Sequence, residues 1–317
     1  MQTILVAGGA GFIGSHLCKK LVDDGHSVIC VDNLLTGSRS NVEHLFEKEN
    51  FSFINQNILD TLPTFEKLDF IFHLASPASP NHHSKLSYHA LPMETMLVNT
   101  MGTLSLLKIA ETYKAKFLFA STSEAYGDPK EHPQNEEYRG NVSTVGPRAV
   151  YDEAKRFGET ITSYYWREKN VDARIVRIFN TYGPGMSKAD MRMIGTFIQQ
   201  ALLNEPITIF GDGKQTRSLC YITDLVEGLI RLMFYPNTNK EIVNLGSPRE
   251  HTVLEYATMV KELTRSTSVI TMSESLPVDD PLRRQPDIQK AKELLQWEPK
   301  VSLQEGLMEM IKDYQQI

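Results

Sequence analysis

The fold is decided by the stretch Thr3-Ile4-Leu5-Val6-Ala7-Gly8-Gly9-Ala10-Gly11-Phe12-Ile13-Gly14, close to the start of the chain. Residues 3–7 are apolar and β-prone, which is typical of a strand buried on both faces. Three glycines follow at a three-residue spacing, and a helical pattern then continues to about Asp24. Because glycine has no side chain, the backbone of this turn can approach a pyrophosphate at the N-terminus of the helix. The stretch therefore predicts the first βα unit of a dinucleotide-binding sheet.

The next predicted strand, Ser27–Val31, ends in Asp32. An acidic residue about 20 residues after the glycines can accept hydrogen bonds from a ribose 2′-hydroxyl and would repel a 2′-phosphate. The pattern therefore predicts NAD rather than NADP as the cofactor. The alternative is that Asp32 is only a turn residue at the end of the strand.

Strand and helix patterns alternate further along the chain. We predict strands at 51–55, 69–74, 116–120 and 173–178, and helices at 92–113 and 151–169. This rhythm favours an α/β fold, with a doubly wound parallel (Rossmann) sheet covered by helices on both faces. We expect residues 1–176, with about 212–246, to form the NAD-binding Rossmann domain. Residues of about 177–211 and 247–317 are expected to form a smaller, mixed, nucleotide-sugar-binding lobe.

Composition excludes several classes of function. The net charge of −6, without a basic stripe, argues against nucleic acid and anionic membranes as partners. Cys18, Cys30 and Cys220 are widely spaced, which fits a reducing compartment rather than a disulfide framework or a zinc site. The sequence shows no signal peptide and no apolar run of bilayer length, so we expect a cytoplasmic protein. His82-His83 lies in a polar loop and is expected to be solvated, so no metal is predicted.

The stretch 146–155 places Tyr151 and Lys155 four residues apart at the start of a predicted helix. Residues at this spacing share one face of a helix. The lysine and the positive ring of an oxidised nicotinamide would together lower the pKa of the phenol and make it a base. The alternative is a chance pattern on an exposed helix.

Polar loops follow several of the predicted strands. Residues 75–80 form a proline-rich loop, and residues 121–124 supply hydroxyl groups and one carboxylate, although these could also cap a helix. Arg217 and Arg284 could form a clamp for a diphosphate, since guanidinium groups bind phosphate bidentately. Surface ion pairs of the two arginines with Asp280 or Asp287 are the alternative.

Together these motifs resemble the extended short-chain dehydrogenase/reductases, the NAD-dependent epimerases, dehydratases and decarboxylases of nucleotide-sugar metabolism. The resemblance covers essentially the whole chain. It is carried by residues 8–14, Asp32, Tyr151-x-x-x-Lys155, 180–184 and Gly211-x-Gly-x-Gln215-x-Arg217. Within that family the chain most resembles UDP-glucuronate decarboxylases, in residues 73–80, 121–129, 146–155 and 279–287.

The resemblance implies a lyase that oxidises C4 of a UDP-sugar transiently with NAD, passes through a 4-keto sugar, and releases carbon dioxide to give UDP-xylose. It implies these catalytic residues: Tyr151 as base, Lys155 on the ribose, Thr122 at O4, Ser123, and Glu124 and Arg284 near C5 and C6. The implied cofactor contacts, besides Tyr151 and Lys155, are Gly8, Gly11, Phe12, Ile13, Gly14, Asp32, Asn33, Thr36, Gly37, Asn57, Ile58, Leu74, Ala75, Ser76, Ala120 and Thr181. The implied substrate contacts are Ser79, Thr122, Asn180, Arg192, Phe210, Gln215, Arg217 and Arg284.

Several positions depart from the decarboxylase pattern. Asn57 stands where an Asp that contacts adenine is usual, and Thr196 replaces an Asn. Glu94, Gly185 and Ser187 stand where Lys, Arg and His are usual. We expect these three positions to lie near the substrate, so that positive charge is lost there. A neutral sugar would tolerate it better, so a UDP-N-acetylhexosamine 4,6-dehydratase or C5-epimerase is an alternative. Dehydratases, however, typically carry Asp at the position of Ser123.

Two further alternatives concern the class of protein. A dinucleotide-sensing regulator could use the same sheet without chemistry, although such proteins commonly lose the Tyr–Lys pair. Net oxidation of a substrate would instead release NADH in stoichiometric amounts. Relatives in this family pair as homodimers through two helices, here 92–113 and 151–169. The stripe of Phe157, Ile161, Tyr164 and Tyr165 on the second helix could serve that interface or equally face the core.

Overall fold

The computed structural model describes residues 1–276 and 280–316. Asp279, part of the stretch that resembles decarboxylases, and Ile317, at the end of the predicted lobe, lie outside the described residues. No helix within the described ranges combines the length and apolarity needed to cross a membrane.

A parallel sheet forms the centre of the molecule, in the strand order β11-β6-β5-β4-β1-β2-β3. The strands are β1 Thr3–Ala7, β2 Ser27–Asp32, β3 Phe51–Asn55, β4 Phe70–His73, β5 Lys116–Thr122, β6 Ala173–Ile178, β7 Thr181–Tyr182, β8 Ile207–Phe210, β9 Thr216–Ser218, β10 Cys220–Tyr221, β11 Ile242–Leu245, β12 Glu250–Thr252 and β13 Ile270–Glu274. The predicted doubly wound sheet is confirmed.

Helices cover both faces of this sheet. They are α1 Phe12–Asp23, α2 Pro92–Leu97, α3 Thr103–Tyr113, α4 Ala149–Glu168, α5 Met193–Leu203, α6 Ile222–Phe234, α7 Val253–Thr264, α8 Gln289–Leu295 and α9 Leu303–Gln316. The pleat of β1 sends Ile4 and Val6 into the core under α1 and α6, and Leu5 and Ala7 into the core under α3 and α4. The strand is therefore buried on both faces, as its unbroken apolar run predicts.

The predicted helix over 92–113 is interrupted. A π turn at Val98–Gly102 separates α2 from α3. Within this turn, the side chain of Asn99 donates to Ser76 Oγ at 2.8 Å, which ties the helix to the loop after β4.

The order of the strands reverses at β1, which pairs with β2 on one side and with β4 on the other. In open parallel sheets the crevice that binds ligands lies at such a point, outside the carboxyl ends of the strands. Here the ends are Gly8 after β1, Leu74 after β4 and Ser123 after β5. The loops predicted to be functional therefore meet at one edge of the sheet.

A separate apolar core lies among α5, α7, α9 and β8, with side chains such as Phe197, Ile209 and Tyr256. Three two-stranded sheets surround it, β10 with β7, β12 with β9 and β13 with β8. α8 instead contributes Ala291 and Leu295 to the core beneath α1 and α6. The proposed domain boundaries stay a prediction.

Candidate active site

The glycine turn after β1 has no room for side chains. Gly8 has a φ of +79°, and a Cβ on it would lie 2.6 Å from the backbone nitrogen of Ala75. A Cβ on Gly14 would lie 2.1 Å from the carbonyl oxygen of Gly8. Gly11, the N-cap of α1, provides no capping side chain for the first turn of the helix. These features fit a pyrophosphate at the start of α1, as the sequence predicts.

Asp32 lies at the carboxyl end of β2, and its side chain is buried. Its carboxylate accepts hydrogen bonds from the backbone nitrogens of Ala10 at 2.9 Å and Leu34 at 2.8 Å. These bonds hold the carboxylate in place beside the glycine turn. The interpretation of Asp32 as a turn residue is therefore confirmed, and its role as a ribose ligand stays a prediction.

Three cavities adjoin along the crevice, and we name them by their residues. The Asp32 cavity is lined by the predicted cofactor residues Asp32, Asn33, Thr36, Asn57, Ile58, Leu74, Ala75 and Ser76. The glycine-turn cavity is lined by Gly8, Gly11, Phe12, Ile13, Gly14, Thr36, Leu74, Ser76, Ala120, Tyr151, Lys155 and Thr181. Gly37 instead packs on the turn, where a Cβ would lie 2.9 Å from Ala10. The two cavities share Gly8 and Gly11, so together they have the extended shape and the donor set of an NAD site.

The third cavity, the arginine cavity, is lined by most of the predicted substrate residues, namely Asn180, Arg192, Phe210, Gln215, Arg217 and Arg284. Glu124, Asn180 and Arg192 also line the glycine-turn cavity, so the two spaces meet there. Ser79, Thr122 and Ser123 line the glycine-turn cavity alone. The side chain of Ser79 donates to the carbonyl of Asp190 at 2.8 Å, so it fixes a loop of the lobe.

Tyr151 and Lys155 point into the glycine-turn cavity from the first turns of α4. Lys155 Nζ donates to the carbonyl of Ala120 at 2.7 Å and lies 5.7 Å from the centroid of the Tyr151 ring. Thr122, at the end of β5, hydrogen-bonds with Tyr151 and also accepts from the backbone nitrogen of Glu124 at 3.1 Å. The threonine therefore faces the phenol and caps a turn at the same time.

The electrostatics of this group concern the ionisation of the Tyr151 phenol. Burial, and then the charge of Glu124, raise the pKa of Tyr151, whereas Thr122 and Arg192 lower it less. Burial, opposed by Glu159, lowers the pKa of Lys155 to about 7. The side chains of the protein alone therefore do not move the phenol towards ionisation at neutral pH. Further positive charge is required beside Tyr151.

Glu124 lies at the junction of the two cavities within a buried ionic cluster. Its Oε2 is 2.6 Å from Arg148 Nη2 and accepts from the Tyr88 hydroxyl at 3.2 Å, and its Oε1 is 3.5 Å from Arg284 Nη1. Although burial opposes ionisation, Arg148 and then Arg284 lower the pKa of Glu124 below its usual range. Glu124 is therefore an ionised, firmly held carboxylate.

Asp280 links the other arginines of this cluster. It accepts from Arg217 Nη2 at 2.7 Å and from Arg148 Nη1 at 3.1 Å. The predicted alternative of ion pairing is thus correct for Arg217 and Asp280, but the pair lines the cavity and does not lie on an open surface. Arg284 pairs with Glu124, and Asp287 instead caps the start of α8 by accepting from the backbone nitrogen of Gln289.

The departures from the decarboxylase pattern lie in different places from those expected. Glu94 lines the Asp32 cavity, so its negative charge is not beside the arginines. Gly185 and Ser187 line the glycine-turn cavity, and Thr196 alone lines the arginine cavity. The structure therefore places Glu94 beside the predicted cofactor residues, and the expected effect of these departures on the substrate stays a prediction.

Sequence reasoning missed three residues of the site. The ring of Tyr88 stacks on Tyr151 with centroids 4.8 Å apart, Arg148 bridges Glu124 and Asp280, and Asp152 hydrogen-bonds with Glu124. Arg148 and Asp152 lie within three residues of Tyr151 in the chain, and this proximity could have indicated that they belong to the site. Nothing in the sequence around Tyr88 indicates its stacking.

The structure also corrects the interpretation of the histidines. Ligand atoms of His82, His83 and Glu274 lie within 4.8 Å of one another, a grouping that could hold a metal ion. The distances from the histidine nitrogens to Glu274 are 3.6 and 3.0 Å, and all three residues are exposed. His82 and His83 are therefore solvated, as predicted, but they do belong to a cluster with metal-ligand chemistry.

Comparison with known proteins gives consistent matches. The model of the NAD dependent epimerase/dehydratase family matches residues 4–246. UDP-glucuronic acid decarboxylase 1 of Danio rerio is 49% identical over 312 residues, 98% of this chain and 72% of the relative. UDP-glucuronic acid decarboxylase 6 of Arabidopsis thaliana is 48% identical over 98% of this chain and 88% of the relative. The solved UDP-glucuronic acid 4-epimerase from Bacillus cereus, in complex with UDP-glucuronic acid and NAD, has a TM-score of 0.86 and 30% identity, covering 99% of both chains.

Proposed function

Because this chain belongs to the NAD dependent epimerase/dehydratase family, we propose that it decarboxylates UDP-glucuronate to UDP-xylose and recycles its NAD. The observation that carries this choice is the likeness, along 98% of the chain, to UDP-glucuronic acid decarboxylases. The geometry supports it, because the site combines a Tyr–Lys pair with a buried cluster of arginines and carboxylates.

The arginine cavity is suited to a nucleoside diphosphate. Arg217 and Arg284 reach it from different segments, and guanidinium groups bind phosphate oxygens with short, charge-assisted hydrogen bonds. Gln215 donates to the carbonyl of Phe210 at 2.7 Å, while its Oε1 is buried without a hydrogen-bond partner in the described part of the chain. An amide oxygen in that state can accept from the imide nitrogen of a uracil ring.

The other two cavities are suited to the cofactor. Gly8, Gly11 and Gly14 would hold the pyrophosphate, Asp32 the adenosine ribose and Lys155 the nicotinamide ribose. When bound, NAD accepts the hydride of the sugar C4 and later returns it, and its oxidised ring adds positive charge. Because burial raises the pKa of Tyr151, that charge favours the phenolate that the reaction requires.

Tyr151 acts as the base at the sugar O4 and later returns the proton to the same oxygen. Stacking on Tyr88 and the hydrogen bond with Thr122 fix the position of its ring. A positioned base of this kind contributes about 10²- to 10⁴-fold to the rate. Thr122 can also hydrogen-bond O4, because its hydroxyl lies beside the phenol in the same cavity.

The 4-keto group makes loss of the carboxylate possible. The electron pair of the C5–C6 bond moves into the C5–C4 enolate as carbon dioxide leaves, and C5 then takes up one proton. Arg284 and Arg148 lie beside Glu124 at the junction of the cavities, where they can orient the anionic C6 group. The enolate oxygen is O4, so it is stabilised by Tyr151 and Thr122. The reaction consumes one proton in each turnover.

The structure gives less support to dehydration. The position next to Glu124 is Ser123, which is buried and is a poor acid for the departing hydroxyl of C6. The substitution Glu94, which argued for a neutral sugar, lies in the Asp32 cavity and not beside the arginines. A regulator without catalytic activity is disfavoured as well, because Tyr151, Lys155 and Thr122 lie together in the glycine-turn cavity.

The proposal is tested by incubating the purified protein with UDP-glucuronate and, separately, with UDP-N-acetylglucosamine. Mass spectrometry of the products is expected to show loss of carbon dioxide from the first and no change in the second. Loss of water would indicate a dehydratase, and an unchanged mass with an altered sugar configuration would indicate an epimerase. Absorbance at the NADH band is expected to stay low, since the hydride returns to the sugar.

We also propose a homodimer formed through α2, α3 and α4. Met93, Leu97 and Met101 are exposed on the α2–π–α3 segment, and Phe157 and Tyr164 are 53% and 46% exposed on the adjacent α4. Tyr165 of the same stripe is buried, so the stripe divides between core and surface. Sedimentation of the wild-type protein is expected to give a dimer, and replacement of Phe157 by glutamate a monomer.

We further propose that the protein works in the cytoplasm. Cys18, Cys30 and Cys220 are free and buried, which suits a reducing compartment. Fractionation of cells that express the chain, with immunodetection of the soluble fraction, tests this location.

A further inference from the structure

Two buried carboxyl groups touch each other at the junction of the cavities. Glu124 and Asp152 are 6% and 5% exposed, and their side chains lie within hydrogen-bonding reach of one another. A hydrogen bond between two carboxyl groups needs a proton on one of them. Two adjacent carboxylates would also repel each other strongly in such a buried place. Both effects favour a pair that holds one proton.

The neighbours of the pair decide which carboxyl carries that proton. Glu124 faces Arg148, Arg284 and the Tyr88 hydroxyl, at 2.6, 3.5 and 3.2 Å. Asp152 Oδ1 is buried and has no hydrogen-bond partner among the described residues. Because the cations lie on Glu124, that residue is the carboxylate and Asp152 is the neutral acid.

The net charge of the cluster explains why a neutral Asp152 would favour substrate binding. Arg148, Arg217 and Arg284 carry one positive charge more than Glu124 and Asp280, with which they pair. A uronate brings a negative carboxylate to this place in addition to its diphosphate. An ionised Asp152 would cancel the excess and would push Glu124 away from its present position.

We propose that Asp152 is a positioning residue that works as a neutral hydrogen-bond donor, orienting Glu124 and keeping a second negative charge out of the pocket that receives the sugar carboxylate. The assignment rests on the proposed function for its substrate. Asp152 acts through Glu124 and is therefore distinct from the groups that touch the reacting atoms.

The proposal has a consequence for pH dependence. Burial, and then the charge of Glu124, raise the pKa of Asp152 to about 8, while Arg148 and Arg284 oppose this increase. Burial raises the pKa of Tyr88, which also adjoins the pair and stays neutral in this range. Tyr151 and Lys155 belong to the reacting group and are present in both wild type and variants, so comparison of the proteins separates their titration from that of Asp152. Above about pH 8, Asp152 loses its proton, so kcat/KM for UDP-glucuronate is expected to fall, mainly through a higher KM.

Asp152→Asn tests this directly, because an amide donates a hydrogen bond to Glu124 at every pH. In the wild type, kcat/KM is expected to fall about tenfold from pH 7 to pH 9, as one ionisation with this pKa requires. In the variant the fall disappears. Asp152→Ala, which removes the donor, is expected to lower kcat at every pH. Glu153→Gln is the matched control, since Glu153 is half-buried on the same helix and pairs with Arg156, and it keeps the wild-type profile.

Persistence of the alkaline fall in Asp152→Asn would assign it to another group, such as Lys155, and overturn the proposal. Equal losses in Asp152→Asn and Asp152→Ala would overturn it as well, because the amide would then fail to replace the acid as donor.

Thermal unfolding provides a test that needs no catalysis. A carboxyl whose pKa is raised in the folded state loses stability as pH rises from its unfolded pKa, near 4, to its folded pKa, near 8. The Tm of Asp152→Asn relative to wild type is therefore expected to rise across this range and to level off above it. A Tm difference that does not change with pH would sink the proposal. If the wild type fails to decarboxylate UDP-glucuronate, the proposed function fails, while this measurement still decides the state of Asp152.

Discussion

The glycine turn and the arginine cavity are two halves of one crevice, built in opposite ways. The glycine turn is a single short segment that makes room by having no side chains, and it carries few charges. The arginine cavity is lined by charged side chains. These come from the segments around residues 124, 148–152, 217 and 280–284. Cofactor binding therefore depends mainly on the shape of the backbone, and substrate binding depends mainly on the balance of charges.

This difference separates two kinds of failure. A change at the glycine turn should abolish NAD binding and leave UDP binding in the arginine cavity intact. The reason is that the glycines of the turn do not line the arginine cavity. A change in the arginine cavity should spread through the cluster, because Arg148, Glu124 and Asp280 each pair with two partners.

The largest effect is expected where the two halves meet. Tyr151→Phe should lower kcat about 10³-fold, since the variant cannot take the O4 proton. NAD binding measured by calorimetry, and the Tm, should change little because the ring keeps its stacking on Tyr88. Phe at Tyr164, which is exposed on the same helix, is the matched control and should keep full turnover. Undiminished turnover in Tyr151→Phe would disprove the proposed chemistry.

Next in size is a change inside the turn. Gly14→Ala places a Cβ 2.1 Å from the carbonyl of Gly8, so the backbone must shift. Overlaps of this kind cost about 1–3 kcal/mol, which corresponds to NAD binding weaker by up to roughly 100-fold. Gly11→Ala, whose Cβ would lie 3.3 Å from the same oxygen, should show a smaller loss. UDP binding should be kept in both variants, and a parallel loss of UDP binding would show that the two halves are not independent.

A smaller effect is expected in the arginine cavity. Arg284→Met removes a cation from Glu124, and hydrogen bonds to charged groups contribute about 1.5–3 kcal/mol, so UDP-glucuronate should bind roughly 30-fold more weakly. Arg283→Met is the control, because the neighbouring Arg283 is 60% exposed and pairs only loosely with Glu250 at 3.7 Å. Calorimetry with each nucleotide sugar measures both variants. Equal affinities for the two would exclude Arg284 from substrate binding.

The smallest effect concerns the choice of cofactor. Asp32→Asn removes the charge that repels a 2′-phosphate while its side-chain oxygen can still accept from Leu34. The preference for NAD over NADP, measured as the ratio of their Kd values, should fall about 5-fold, as loss of one screened charge contact of about 1 kcal/mol implies. Binding of UDP should not change. An unaltered ratio would mean that Asp32 serves only the turn.

Much of the fold and half of the site could be predicted from residue order. The apolar run before Gly8, the glycine spacing and Asp32 act through neighbouring backbone, so their structure follows from local sterics. The distance of four residues between Tyr151 and Lys155 places both on one face of a helix, and the structure brings both into the glycine-turn cavity. The cavity that Glu94 lines could not be predicted, because its position depends on how the helix 92–113, with its π turn, lies on the sheet.

The parallel sheet, the glycine turn and the Tyr–Lys pair could all be predicted from residue order, because each depends on residues close together in the chain. Other contacts appear only when the chain is folded: Arg148 joins Glu124 to Asp280, Tyr88 stacks on Tyr151, and Asp152 lies beside Glu124. Those contacts join segments up to 132 residues apart, as between Arg148 and Asp280. The physical reason is that the charge of a buried group depends on every neighbour within a few ångströms, and folding alone brings those neighbours together.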